Sequence, residues 1–256
     1  MLQSLIRFRD VSKVFRRADG RGDLLAVDKL SFEVARGEIV AVLGKTGCGK
    51  STMFNLIAGL IEPTSGEVSV GGHDPFRDFA FFRGKIGIVF QGDRLMPWRT
   101  ALANVLLGLE ILDAEPTQAE AVARGWLARL GLKGHENDYP HALSGGMRQR
   151  VSIARAFAVE PELLLCDEPF SSLDEMTARD LRAEFVRLVR QNGKTAVFIT
   201  HQIGEAMEIG DRVLVCHRPA RIAFEARMDR DPSPGTRAQI HGKILEVLSI
   251  EASTRD

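Results

Sequence analysis

The sequence predicts an α/β protein: a mixed β-sheet core laced with crossover helices, with an antiparallel β part at the amino end and an inserted α-helical part. Three features carry this reading. Continuous apolar runs recur at Ile39–Leu43, Ile86–Phe90, Leu163–Cys166, Ala196–Ile199 and Val213–Cys216, and such runs suit strands buried on both faces. Helical patterns separate several of them, which is the alternation of a parallel sheet with ligand chemistry at the carboxyl ends of its strands. Between Trp98 and Glu160 the strand signals vanish.

Taken in order, the chain opens with period-two alternation, Ile6 and Phe8 and then Leu30, Phe32 and Val34, with turns at Gly20 to Gly22 and Arg36-Gly37. That pattern predicts antiparallel strands. A helical run, Thr52 to Ala58, follows the first continuous strand. Within the strand-free stretch, Thr117 to Leu130 reads as an amphipathic helix with Ala119, Val122, Trp126 and Leu130 on one side. Past His217-Arg218-Pro219 come a last strand, Arg221 to Met228, a polar Asp-Pro-Ser-Pro linker, and a closing helix whose Ile240, Ile244 and Leu248 are spaced to face the body.

Composition narrows the function. With 34 basic and 34 acidic residues there is no cationic surplus of the kind that draws a protein onto nucleic acid. No apolar run approaches the roughly 20 residues of a membrane-crossing helix, and Arg7, Arg9 and Asp10 interrupt the start where a secretory signal needs an apolar stretch. The expected location is therefore the cytoplasm. Cys48, Cys166 and Cys216 lack metal-ligand or paired spacing, as for unpaired buried thiols in a reducing compartment.

Gly44-Lys45-Thr46-Gly47-Cys48-Gly49-Lys50-Ser51, followed by Thr52, satisfies G-x-x-x-x-G-K-[ST] between a strand and a helix. Glycines let the backbone curl until successive N–H groups point inward, and the helix start adds partial positive charge where phosphates sit. Lys50 is placed to bridge β- and γ-phosphates, and the Ser51 hydroxyl is a hard oxygen ligand for Mg²⁺. Kinases, GTPases and motor ATPases all use such a loop. The N-K-x-D segment that GTPases add is missing from the sequence.

Asp167-Glu168-Pro169 ends a purely apolar strand. Two acids at such a strand end can divide labour: Asp167 holding Mg²⁺ through water, Glu168 orienting or deprotonating the water that attacks phosphorus. Leu143-Ser144-Gly145-Gly146 supplies a second anion-gripping helix start, with Ser144 as cap and two glycines leaving N–H groups bare. Met147, Val151, Ala154 and Ala158 line one side of that helix, while Arg148, Arg150 and Arg155 project elsewhere.

Together these residues resemble the ATP-binding cassette family, the ATPase subunits of ABC transporters, over about Ile6 to His217. The resemblance implies a P-loop NTPase fold with a RecA-like core, ATP and Mg²⁺ as ligands, and hydrolysis of ATP to ADP and phosphate. It also implies a head-to-tail homodimer in which Ser144, Gly145 and Gly146 of one chain contact the ATP held by Lys50 of the other. Gln91 is similar to the Q-loop glutamine, a further Mg²⁺ ligand, and Ser172-Leu173-Asp174 to the D-loop. His201 is similar to the switch histidine; taken alone, a histidine at a strand end is a solvated residue. Phe15 occupies the place of the aromatic that stacks on adenine. A core packing role stays open for it, though cationic Lys13, Arg16 and Arg17 favour an exposed face. The chain departs from the family at Met147, where glutamine is usual, and at Gln202, where aspartate is commoner; neither removes a phosphate donor.

Phe90 to Thr100, above all Pro97-Trp98-Arg99, is similar to the segment in importer ATPases of the nitrate, sulfonate, taurine and bicarbonate group. Trp98 could also simply anchor the helical part by packing. The resemblance implies permease subunits, an external solute-binding protein and a peripheral place on the inner membrane face as partners and setting. A non-transport assembly ATPase is the alternative, and a kinase would have no use for Ser144 to Gly146. The expected organisation is one cassette domain: residues 1–97 and 161–217 as nucleotide-binding core, 98–160 as helical subdomain with the signature, and 218–256 as closing strand and helix.

Overall fold

A computed structural model describes residues 3–16, 22–228 and 234–253. Gly20, Arg21, Arg17 and most of the Asp-Pro-Ser-Pro linker lie outside the described residues. In chain order the elements are β1 (Ser4–Phe15), β2 (Leu24–Ala35), β3 (Ile39–Leu43), α1 (Lys50–Ile57), β4 (Ser65–Val70) and β5 (Ile86–Val89). Then come α2 (Ala101–Ile111), α3 (Pro116–Arg129), α4 (Gly145–Ala158), β6 (Leu163–Asp167) and α5 (Glu175–Gln191). The chain ends with β7 (Thr195–Thr200), α6 (Ile203–Ile209), β8 (Arg212–His217), β9 (Arg221–Arg227) and α7 (Pro234–Ser253). It divides into two compact units, Met1–Ala80 with Thr195–Asp256, and Phe81–Lys194.

In the first unit, β1 pairs antiparallel with β2 and β4 in the order β2-β1-β4. The expected alternation is present: Leu30, Phe32 and Val34 are buried while their neighbours face out, and the Phe8 and Phe32 rings stack at 4.6 Å. The second sheet of this unit runs β7-β3-β8-β9, parallel except for β9. β3, β7 and β8 are buried throughout, and only the edge strand β9 alternates. Alternation marks a strand with one wet face, and continuity marks a strand covered on both.

One face of this sheet packs against α6 and α7 through Ala206, Met207, Ile244 and Val247, with Ile240 and Leu248 partly buried beside them. The closing helix thus faces the body as its spacing predicts. His217 Nε2–H donates to the Val247 carbonyl at 2.9 Å, tying the end of β8 to α7. Buried Arg212 meets both carboxylate oxygens of Glu38 and reaches Glu225 at 3.1 Å. Burial works against its charge, but these acids outweigh it and hold the guanidinium above its ordinary pKa.

In the second unit β5 lies parallel to β6, from Ile86 against Leu163 to Val89 against Cys166. Between them in sequence come α2, α3 and α4 and no strand among the described residues. The α3 stripe differs in one position from the expected one. Ala119, Trp126 and Leu130 are buried, but Val122 is only half-buried, and Ala123 and Leu127 complete the face. An α-helical face drifts with its 3.6-residue period, so the i+4 neighbours of Ala119 and Ala123 take the contact. Trp126, Phe157, Phe185 and Phe170 form a chain of ring contacts with centroids 4.9 to 6.1 Å apart. All three cysteines are unpaired and buried, and burial pushes the Cys166 thiol up.

Candidate nucleotide site

In the first unit, β3 delivers the chain into the loop at Gly44, and α1 begins at Lys50. Gly49 sits at φ 110°, where a Cβ would lie 2.5 Å from the Ala26 carbonyl oxygen and 2.7 Å from Ala220 Cβ. Only glycine fits there, both for conformation and for space. Cys48 N–H closes a turn onto the Lys45 carbonyl at 3.2 Å and its thiol is buried, while Thr46 and Gly47 are exposed. The start of α1 has no side-chain cap and no acid in its first turn, so no side chain of the helix competes with an anion for its first N–H groups. Buried Lys50 folds its Nζ back onto the carbonyls of Gly44, 2.6 Å, and Lys45, 3.0 Å. Ser51 is exposed and Thr52 is half-buried.

His201 is exposed directly after β7. The turn that carries it is fixed by Thr200, whose hydroxyl donates to buried Glu205 and accepts from the Gln202 N–H at 3.0 Å. Phe15, at the end of β1, is 37% exposed with Lys13 Nζ 5.3 Å from its ring centroid. That exposure argues against a core role.

In the second unit, Asp167 and Glu168 are half-buried at the end of β6. Glu168 has φ 46°, a left-handed conformation uncommon for residues with a side chain and frequent where a functional group must be aimed. Its carbonyl accepts from Ser171 Oγ at 3.0 Å and Ser171 N–H at 3.2 Å, which holds the turn. In the next turn Asp174 caps α5 by accepting the Thr177 N–H at 3.0 Å, and that bond holds its carboxyl below the usual range. Leu173 lies between them, and the Ser172 hydroxyl donates to the Gln91 carbonyl at 3.5 Å. Gln91 itself is exposed after β5.

Ser144 caps α4, accepting the Met147 N–H at 3.3 Å, and the first turn carries no acid. A Cβ on Gly145 would meet Arg148 Nη2 and Leu173 Cδ2 at 3.9 Å, ordinary contact, whereas a Cβ on Gly146 would meet Thr177 Cγ2 at 2.8 Å. The second glycine thus lets α4 approach α5, a packing reason that the motif alone does not disclose. Sequence reading missed the polar grip on residues 90–100. Gln149, Arg148 and Arg155 of α4 and Asn104 of α2 bond this loop through its carbonyls, the Asp93 carboxylate and one N–H. An asparagine inside the apolar run Ala101–Ile111 was the available signal, since a buried amide must find partners.

The ABC transporter family profile matches residues 27–171. The bicarbonate transport ATP-binding protein CmpD of Synechocystis is 38% identical over 83% of this chain and 74% of its own length. The chain belongs to the ABC transporter family. The nitrate import ATP-binding protein NrtC of Synechococcus elongatus is 38% identical over 77% of this chain, though over only 29% of its own length. Among solved structures, the dimeric ATP-binding cassette MJ0796 in a post-hydrolysis state with ADP and Pi aligns at 32% identity and TM-score 0.76. It covers 88% of this chain and 100% of that one. The fold is that of a P-loop NTPase, and as an ABC ATPase the chain binds ATP and hydrolyses it in a reaction coupled to transport.

Proposed function

We propose that this cassette is the motor of an importer for a small anion such as nitrate, a sulfonate, taurine or bicarbonate, working as an ATP-closed homodimer beneath permease subunits fed by an external solute-binding protein. The observation that carries the transport side is Trp98, which is 72% exposed in Pro97-Trp98-Arg99. It therefore does not anchor the helical part by packing. An indole held out in water by a loop anchored through hydrogen bonds to α2 and α4 suits a surface that a partner covers. The relatives named for bicarbonate transport and nitrate import support the choice of solute class. No described helix is long and apolar enough to cross a membrane, so the proposed place at the inner membrane face would come through the permease.

In this reading the loop Gly44 to Thr52 grips the triphosphate with bare N–H groups, and the Lys50 ammonium exchanges its two carbonyl contacts for phosphate oxygens. The Ser51 hydroxyl, the Asp167 carboxylate and the Gln91 amide are hard oxygen donors that fit Mg²⁺; bound there, the ion would neutralise charge on the phosphates. Glu168 takes the proton of the attacking water, and His201 steadies that water and the γ-phosphate. Ser144, Gly145 and Gly146 would close on the partner chain's nucleotide, with Ser172 to Asp174 beside them, and Phe15 would stack on adenine.

Affinity capture of the tagged chain from detergent-solubilised membranes of its source tests the proposal. Recovery with integral membrane chains is expected; recovery of the cassette alone, with no membrane protein, contradicts the importer reading.

A further inference from the structure

The loop between β5 and α2 is tied to the signature helix at one residue. Arg148 Nε donates to Asp93 Oδ2 at 2.8 Å, and its Nη1 donates to the Leu143 carbonyl, also at 2.8 Å. One side chain therefore joins the loop to the residue directly before the Ser144 cap. At the next residue of α4, Gln149 Nε2 donates to the Phe90 carbonyl at 3.4 Å, and about two turns along Arg155 donates to the carbonyls of Asp93 and Arg94, both at 2.8 Å. Asp93 Oδ1 accepts the Leu95 N–H at 3.1 Å, after which Asn104 takes hold of the loop at Met96. Burial lowers the Arg155 pKa and the Asp93 charge opposes that shift.

We propose that Asp93 is a positioning residue that makes the signature end of α4 and the loop bearing Trp98 move as one piece, so that closure of the signature on nucleotide reaches the permease-facing surface. The proposal rests on the motor reading above. The Arg148 and Asp93 side chains are 36% and 29% exposed, and ion pairs so placed add little to stability. Their geometry has another use. The guanidinium spans two elements with charge-assisted bonds, which fixes register between them, and coupling between distant sites travels through such linked rigid pieces.

The chain supplies its own reporter, because Trp98 and Trp126 are its two tryptophans and Trp126 is buried against Phe157. In the full chain carrying Trp126→Phe and Glu168→Gln, Mg-ATP should drive dimerisation, followed by sedimentation, and alter acrylamide quenching of Trp98. Adding Asp93→Asn keeps the acceptor for Leu95 but weakens the bridge, and Arg148→Met removes it. Either should cut the ATP-induced Trp98 response about fivefold or more, at the low end of usual inter-site coupling. Half-saturating ATP should move less than about twofold and the melting temperature less than about 3 °C, since an ion pair so exposed contributes little on its own. If Trp126→Phe does not fold, ATP-dependent hydrogen exchange over residues 93–100 in the chain with both tryptophans gives the same comparison. A dimer whose Trp98 or exchange response survives both substitutions overturns the relay alone, as does a dimer with no response at all. Absence of any ATP-driven dimer overturns the motor reading and the relay with it.

Discussion

Replacing Asn104 should loosen the loop that carries Trp98 without touching nucleotide binding, and the structure sets the size of the effect. The fully buried amide accepts the Met96 N–H at 2.7 Å and donates to the carbonyls of Met96, 3.2 Å, Arg99, 3.0 Å, and Thr100, 3.0 Å. An amide has two donor protons, so three carbonyls share them and the net is about three full bonds. At about 1 kcal/mol each, with part of the loss recovered by water at half-buried Met96, Asn104→Ala should cost roughly 2–4 kcal/mol. A chain of this length loses about 2–4 °C of melting temperature per kcal/mol, which predicts a drop of roughly 4–16 °C. Asn104→Asp is the sharper variant: it keeps the acceptor but turns a carboxylate toward three carbonyls in a dry site. It should cost more than alanine, about 3–5 kcal/mol. Thermal unfolding followed by circular dichroism reads both. A melting temperature within 2 °C of the parent for either, on the order of 1 kcal/mol or less, or an aspartate variant more stable than the alanine one, would refute this account of the loop.

Other outcomes follow from the same residues. Glu168→Gln should keep ATP binding and slow hydrolysis about 10²- to 10⁴-fold, measured as phosphate release; parental turnover would remove Glu168 from the chemistry. Gly49→Ala places a methyl against Ala26 and Ala220 at a φ alien to alanine, so it should destabilise by about 3 kcal/mol or more and show as a lowered melting temperature. Asp174 has a folded-state pKa below its ordinary value. The stability it adds is therefore present above that ordinary value and fades as pH falls through the lower one. Asp174→Asn should flatten the acid limb of a melting-temperature profile, and an unchanged limb would contradict the cap.

Much of the site was legible because it is local in sequence. The glycines, lysine and hydroxyl of the proposed phosphate loop, Gly44 to Thr52, fall in one short stretch, so the motif announces itself beside β3. The strands β3, β7 and β8 were equally plain, since burial on both faces leaves an unbroken apolar record. What could not be read depends on partners far along the chain. Arg148 shows only as a cation off the apolar face of α4; that it meets Asp93 is decided by how α4 lies on the loop after β5. Glu205 looks like a solvated acid until Thr200 is seen to donate to it. Gly146 has a packing reason to be glycine, its approach to Thr177, that the motif does not disclose. Val122 marks the remaining error, a stripe displaced by the choice of which i+3 and i+4 positions face the core.

In the proposed motor, bare amides and the Lys50 ammonium at the start of α1 hold the triphosphate. Calorimetric titration of Mg-ATP into the parent chain and into Lys50→Ala tests it most directly. Saturable heat, with about 2.7 kcal/mol of added stability at a hundredfold excess over Kd, is expected for the parent, and binding weakened at least about tenfold for the variant. A parent that gives no heat and no melting shift, or a variant that binds as tightly as the parent, would contradict the account.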